Sequence, residues 1–288
     1  MLLVVNGTGL ATPDVRRAVR WQGKGRMISA GLLLGGFALM ALLPSLFTDA
    51  DPRDCDLSRS LLPPGDGHPF GYDLQGCDYL AKTVYGARTS LGIAVLVVVG
   101  TTLIALVVGA LAGFAGGRTD SVLTRLTDVW SGIPLILGGL LVLSGTDERG
   151  PLQVALVLTV FGWPAMVRVL RASVLETRER DFVTAARALG ARPSRVLLKH
   201  VLPHSLRPLI VAASAYAGFI VAAEATLTFA GVGLARPTES WGIQLFEAQA
   251  RVAVAPHLLV FPAAALVAAV VGFVLLGEAL RRSPTDRR

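Results

Sequence analysis

Six apolar stretches, separated by short polar or turn-rich connections, constrain this chain more than any other feature of its sequence. They run from about Met27 to Phe47, Thr89 to Phe114, Val129 to Ser144, Leu152 to Val169, Leu209 to Phe229 and Leu258 to Gly277. Most approach the ~20 residues a helix needs to cross a bilayer, and the third and fourth do so only if their flanks join them. In hydrocarbon the backbone must satisfy its own polar groups, so spans of this kind fold as helices. With 53% of residues hydrophobic and 16% charged, the expected fold class is an all-α polytopic membrane protein without a soluble core. The first stretch follows a 26-residue basic segment with no small-residue cleavage site, which predicts a retained anchor rather than a leader. The run Leu2 to Val5 is too short to cross.

A net charge of +7 invites a nucleic-acid reading, but the distribution of the charge excludes it. With the N-terminus cytoplasmic, six spans leave 20 of the 27 Lys and Arg residues on the cytoplasmic side. Only Arg53, Arg59, Lys82, Arg88, Arg149, Arg236 and Arg251 fall outside. That asymmetry is the positive-inside pattern, and orientation in lipid accounts for the basicity without an acidic ligand.

The loop 48–88 is the large external segment. Its first half is turn-rich, with Pro52, Pro63, Pro64, Gly65, Gly67 and Pro69, and its second half becomes helical towards Tyr85. Both cysteines of the chain, Cys55 and Cys77, lie here. The compartment permits a bridge, which is the expectation; the alternative is two free thiols in the loop.

Inside the spans, Ala105, Gly109, Gly113 and Gly117 recur every four residues and form a small-residue stripe that lets another helix approach closely. Its partner can be a helix of this chain or of a second subunit. Pro134 and Pro164 should bend their helices. Glu224 is the one acid well inside a span, so it should face a cavity or a protein partner. Two roles are open for it: a pathway or gate residue, or a hydrogen bond that fixes the fifth helix to the following loop. His200 and His204 are four apart, but Pro203 intervenes and no third ligand is near, so no metal site is expected. The sequence holds no phosphate loop, no His-Glu-x-x-His and no Gly-x-Ser-x-Gly, hence no usual ATP site and no catalytic constellation.

The segment 178–203, RERDFVTAARALGARPSRVLLKHVLP, stands out as charged sequence between apolar spans. Phe182, Ala185, Ala186 and Leu189 share one helical face, with Arg178, Arg180 and Arg187 elsewhere. Gly190 suits the left-handed end of one helix, and Pro193 with Ser194 suits the start of the next. The expected product is a short L-shaped helix pair whose small residues, Ala185 and Ala186, allow another surface to dock.

Ala185, Ala186, Gly190, Leu202 and Pro203 resemble the cytoplasmic coupling motif of ABC importer permeases, with Thr184 where that family usually has Glu. Gly71, Asp73, Gly76, Asp78, Tyr85, Gly86, Ala87, Arg88, Ser90 and Leu91 are similar to the segment before the second span of C-type permeases in the dipeptide, oligopeptide and nickel importer family. Cys77 replaces a common Arg there, which would make the bridge a subgroup feature. Gly116, Gly117, Asp120, Arg125, Asp128 and Pro134 extend the likeness, as do Glu224, Phe229, Gly231, Gly233, Pro237, Ser240, Trp241 and Gly242. It covers about residues 68 to 282.

The resemblance implies a type I ABC importer (MetI-like) permease fold of six transmembrane helices with both termini cytoplasmic. It divides the chain into a cytoplasmic segment 1–26 and a permease domain 27–288, with external loop 48–88, coupling segment 178–203 and cytoplasmic tail 278–288. It implies a permease subunit of an ATP-driven dipeptide or oligopeptide importer in the cell membrane. The partners would be a second homologous permease, two cytoplasmic ATPase domains, an extracytoplasmic binding protein, the peptide and lipid. The chain itself would hold no cofactor; ATP and Mg would sit in the ATPase subunits. Phe182, Thr184, Ala185, Ala186, Gly190, Leu202 and Pro203 would carry the coupling. Nickel or another small solute is the alternative cargo, and a secondary carrier the alternative class, although one intramembrane Glu without an inverted repeat offers little ion coupling.

Overall fold

The computed structural model describes residues 13–65, 67–147 and 149–281. Residues 1–12 of the N-terminal segment and 282–288 of the tail lie outside the described residues. The chain is helical: α1 (Pro13–Leu42), α2 (Tyr79–Ala115), α3 (Gly117–Ser131), α4 (Leu135–Ser144), α5 (Pro151–Arg178), α6 (Asp181–Ala188), α7 (Pro193–Val196), α8 (Leu202–Phe229), α9 (Trp241–Ala248) and α10 (His257–Arg281). A π-helical turn, Leu197–Val201, joins α7 to α8, making one helix of 37 residues, Pro193–Phe229. Five helices are long and apolar enough to cross a membrane, and the pair α3 and α4, bent by 67°, supplies a sixth, broken span.

Several boundaries differ from the sequence expectation for physical reasons. α2 starts at Tyr79 rather than near residue 89, because the Asp78 carboxylate caps it by accepting from the Ala81 N–H at 2.7 Å. α1 already begins at Pro13, inside the basic N-terminal segment. The fourth span continues through polar sequence to Arg178. The bend expected at Pro134 is a full break: Pro134 stands at the N-cap of α4, where the two halves of the third span meet at 67°. Pro164 is carried inside α5, as are Pro208 in α8 and Pro262 in α10.

The centre of the bundle is the contact of α2 with α5. A Cβ on Gly109 would lie 2.9 Å from the Val167 carbonyl oxygen, and one on Gly113 2.9 Å from that of Arg171. The two backbones therefore nearly touch along the small-residue stripe, and Ala105 is fully buried there. The stripe faces this chain's own α5. Gly117 leaves it: its φ of +54° starts α3, and nothing approaches its Cβ position. α1 packs on α10, with Leu34 against Gly272 and Arg26 paired to Glu278 at 2.8 Å.

One end of the bundle is closed by a cap built from residues 43–78 and 230–256. Cys55 and Cys77 are joined in a disulfide. The neighbouring Asp73 accepts from the N–H groups of Gln75 and Cys77, both at 2.8 Å, and from the Lys82 ammonium at 2.5 Å. Lys82 and Asp73 are both buried, so each charge depends on the other. Glu239 lies 3.6 Å from the same ammonium; burial raises its pKa above the usual carboxylate value, against the lowering effect of Lys82. Tyr79 donates to the Leu258 carbonyl at 2.5 Å, and His257 to that of Tyr72 at 3.2 Å, fastening the cap to α2 and α10. Gly76 (φ +74°) passes so close to the Asp56 carbonyl that any side chain would collide with it.

Two outcomes are expected. Gly109→Leu should cost about 1–3 kcal/mol of stability by forcing α2 off α5, read as a lower melting temperature in detergent. Gly35→Leu, at a position with nothing near its Cβ, should leave that temperature unchanged. Alkylation of the unreduced, denatured chain should add no label, and alkylation after reduction should add two.

Candidate functional site: the coupling surface and the Glu224 tie

At the opposite end from the cap, α5 ends at Arg178 and the chain turns through Glu179 and the extended Arg180 into α6. Asp181 in the first turn complements the helix dipole. Val183 is the anchor: it is fully buried in a cluster with Val196, Val201 and Leu209. The rest of α6 is open. Phe182 is 37% and Leu189 89% exposed, Thr184 and Ala185 are exposed, and Ala186 is half-buried. The face shared by Phe182, Ala185, Ala186 and Leu189 thus points away from the bundle, with Val183 beneath it. Sequence reasoning missed Val183, although it is the one valine of α6 and lies off the small-residue face.

Gly190, with φ +77°, ends α6 in the left-handed conformation. The Ala191 N–H reaches the Ala186 carbonyl at 3.1 Å and the Gly190 N–H that of Arg187 at 3.0 Å, which together make a Schellman motif. Pro193 then opens α7. Here the expected L-shaped pair of short helices is corrected: the second arm is the foot of the long fifth span. Pro203 has no N–H to offer the preceding turn, which ordinarily breaks a helix. The π turn absorbs the defect, with the Leu202 N–H bonding five residues back to the Leu197 carbonyl. The helix therefore continues through Pro203 with Leu202 half-buried beside it.

Polar ties brace this end. Ser205 Oγ donates to the Val201 carbonyl at 2.9 Å and lies 3.1 Å from Thr177 Oγ1, linking α8 to α5. Arg178 donates to the Gly113 carbonyl at 2.7 Å, and the Arg187 guanidinium sits 5.6 Å from the Phe114 ring, linking α5 and α6 to the end of α2. Arg171 grips Asp120 with two hydrogen bonds of 2.5 and 2.7 Å. The His204 ring lies tilted against Phe182, 4.8 Å between centroids, and its Nδ1 donates to the His200 carbonyl at 2.7 Å, so it serves the helix foot.

Glu224 lies far from this surface, near the cap. It is completely buried and accepts from Ser90 of α2 at 3.1 Å, Thr228 at 3.0 Å and Ser240 at 3.4 Å. Ser90 Oγ in turn accepts from the Trp241 N–H at 3.3 Å, and Thr228 Oγ1 from the Leu234 N–H at 3.1 Å. A Cβ on Gly242 would come within 3.0 Å of the carboxylate, which leaves no room beside it. These contacts describe a tie between α2, α8 and the loop before α9. The signal for it was present in the sequence only as isolated Ser and Thr residues.

The sequence profile of a family described as binding-protein-dependent transport system inner membrane component matches residues 105–283. The oligopeptide transport system permease protein OppC of Bacillus subtilis is 32% identical over 243 residues, covering 84% of this chain and 79% of that protein. The dipeptide transport system permease protein DppC of Alkalihalophilus pseudofirmus is 32% identical over 269 residues, covering 92% and 88%. DppC of Bacillus subtilis is 33% identical over 276 residues, covering 94% and 84%. Among solved structures, a chain of the MetNI methionine ABC transporter in inward-facing conformations aligns with a TM-score of 0.58 at 22% identity, covering 69% of this chain and 95% of that one. A chain of an amino acid ABC transporter aligns with a TM-score of 0.56 at 17% identity, covering 71% and 95%. The fold is therefore that of the MetI-like, type I importer permeases. The matched profile begins inside α2, so the first span and the disulfide-bearing part of the cap, residues 43–78, lie outside it.

Glu224→Leu should strand three buried hydroxyls and destabilise the bundle by about 2 kcal/mol or more. Glu224→Gln keeps an acceptor and should cost clearly less. The ranking is checked by thermal unfolding of the purified membrane complex.

Proposed function

The chain belongs to the family of binding-protein-dependent transport system inner membrane components, and we propose that within it this protein is the permease subunit of an ATP-driven dipeptide or oligopeptide importer. It is a multi-pass membrane protein and a permease, not an enzyme. The substrate class rests on the peptide permeases that share about a third of its residues over most of its length. In this reading a second, homologous permease completes the pathway, a binding protein delivers the peptide on the cap side, and two ATPase domains dock on the other side and hold ATP and Mg.

The observation that carries the reading is the construction of α6. An exposed apolar and small-residue face is unusual on a helix outside the spans. Here it is held from behind by Val183 and joined by the Gly190 turn to Pro193, from which the fifth span runs without a break. Phe182, Thr184, Ala185 and Ala186 would form the contact with an ATPase groove, Gly190 would set the angle, and Leu202 with Pro203 would pass the displacement into α8. Closure of the ATPase domains on ATP would then move α6, and with it the helices rooted there, opening the pathway towards the binding protein. Hydrolysis would return it. Glu224, tied to three hydroxyls, serves position rather than ion coupling in this scheme.

The test is uptake by the complete complex in vesicles with binding protein and ATP. Gly190→Val places a β-branched residue in the left-handed region, and Ala186→Arg adds bulk and charge to the docking face. Both should insert normally and lose most peptide uptake, through detached ATPases or through hydrolysis without transport. Normal uptake with normal ATPase association in both variants would contradict the assignment. Collapsing proton and sodium gradients should leave uptake by the unaltered complex and by Glu224→Gln in place; uptake that needs a gradient and no ATP would indicate a carrier.

A further inference from the structure

α3 is polar on one side and apolar on the other, yet it is exposed on both. Val122, Leu126, Val129 and Ile133 form an exposed apolar stripe suited to lipid or to another subunit. Arg125 and Asp128 are exposed on a different face. Asp128 meets Arg168 of α5 at 3.1 Å, with side chains 58% and 53% exposed. At a rise of ~1.5 Å per residue, Arg168 stands about 15 Å along α5 from Arg178, in the last turn of the apolar stretch Leu152 to Val169. An open ion pair at this edge of the apolar stretches calls for water or a polar partner. The exposed stripe of α5 changes character there too: Leu152, Leu156 and Val160 in the half near the cap give way to Ala165, Arg168 and Ala172.

Between α2, α3 and α5 these residues border a cleft of about 260 Å³, lined by Thr124, Thr127, Asp128, Arg168 and Arg171 among others. That is below the ~300–1,000 Å³ of a site for a drug-sized ligand, so it suits one charged group rather than a whole peptide. The two ion pairs in it are not equivalent. Arg171 is committed to Asp120 through two hydrogen bonds, whereas among the described residues Arg168 spends only Nη2, on one oxygen of Asp128. The remaining donors of Arg168 and the second oxygen of Asp128 are available to a ligand. Deeper in the span, at Gly132 and Ile133 in the elbow between α3 and α4, no backbone donor among the described residues reaches the carbonyls, which again calls for water or protein on this side.

We propose that the Asp128–Arg168 pair is a charge-exchange station on a water-filled stretch of the passage, where Arg168 takes a carboxylate and Asp128 an ammonium group of the moving peptide. Each substrate charge replaces the pair's own partner, so a peptide carrying either sign crosses this depth without an uncompensated charge. The inference rests on the peptide-importer reading.

The experiment uses the complete complex in phosphatidylcholine vesicles and two tripeptides differing only in a central Glu or Lys. Uptake is expressed as the Glu-to-Lys ratio of each variant divided by that of the unaltered complex, which cancels the binding protein's own preference. Arg168→Glu should lower the ratio and Asp128→Lys should raise it, each by roughly tenfold, the effect of one charge-assisted contact. Parallel loss of both peptides with an unchanged ratio would show that the pair only braces α3 on α5 and would overturn the proposal. So would an unchanged ratio with uptake that follows added anionic lipid, the mark of a headgroup site.

Both native cysteines are in the disulfide, so an introduced thiol is the only free one in the chain. Ala165→Cys and Ala172→Cys should react with a charged methanethiosulfonate faster than Val271→Cys on the aliphatic face of α10, and saturating peptide should slow them. Rates equal to that of Val271→Cys would refute a water-filled cleft. If the unaltered complex takes up no peptide, the importer reading fails, while the labelling rates still decide whether the cleft is wet.

Discussion

In a hydrocarbon slab a peptide carbonyl has no water to turn to, and each departure from helix within the spans must be answered by protein or by an aqueous space. Among the described residues two such departures stand out. At Pro203 the π turn keeps the helix unbroken, so the segment after α6 is mechanically the foot of the fifth span. At Gly132 to Pro134 the third span is broken outright by a bend of 67°. In the proposed scheme the first would transmit movement and the second would border a polar cleft.

The remaining energetics follow a division along the bundle axis. Through the middle, small residues bring α2 and α5 into backbone contact, where dispersion and close packing hold the helices. At the two ends polar ties take over: buried ones near the cap, Glu224 with Ser90, Thr228 and Ser240 and Lys82 with Asp73, and half-buried ones near α6, Arg171 with Asp120 and Arg178 with the Gly113 carbonyl. A bundle pinned at both ends behaves as one piece. In the proposed mechanism that property would let a push on the eight-residue α6 be felt at the far side of the membrane.

Much of this was legible in the sequence, because it is local. The apolar stretches marked the spans, Gly190 and Pro193 marked the joint after α6, and the spaced motif residues carried the family. What was hidden depends on pairing across distance. The helical character towards Tyr85 was visible, but not that Asp78 caps the helix ten residues ahead of the apolar run. Pro134 and Pro164 read alike, yet one begins a helix and the other rides inside one, since their neighbours rather than their own geometry decide. The Asp120–Arg171 and Asp128–Arg168 pairs join residues 51 and 40 apart, which no local pattern reveals. Val183 is one valine among many until the fold turns it inward.

The central claim is that α6 and the fifth span move as a rigid unit. Spin labels on Ala188→Cys, exposed on α6, and Thr226→Cys, exposed near the far end of α8, measure it directly by pulsed electron resonance in the complete complex. The account predicts the same distance distribution between the two labels with and without ATP, while the distance from Thr226→Cys to a label on the second permease changes. A shift between the two labels within this chain, with the distance to the second permease unchanged, would mean that α6 swings on its own and would contradict it.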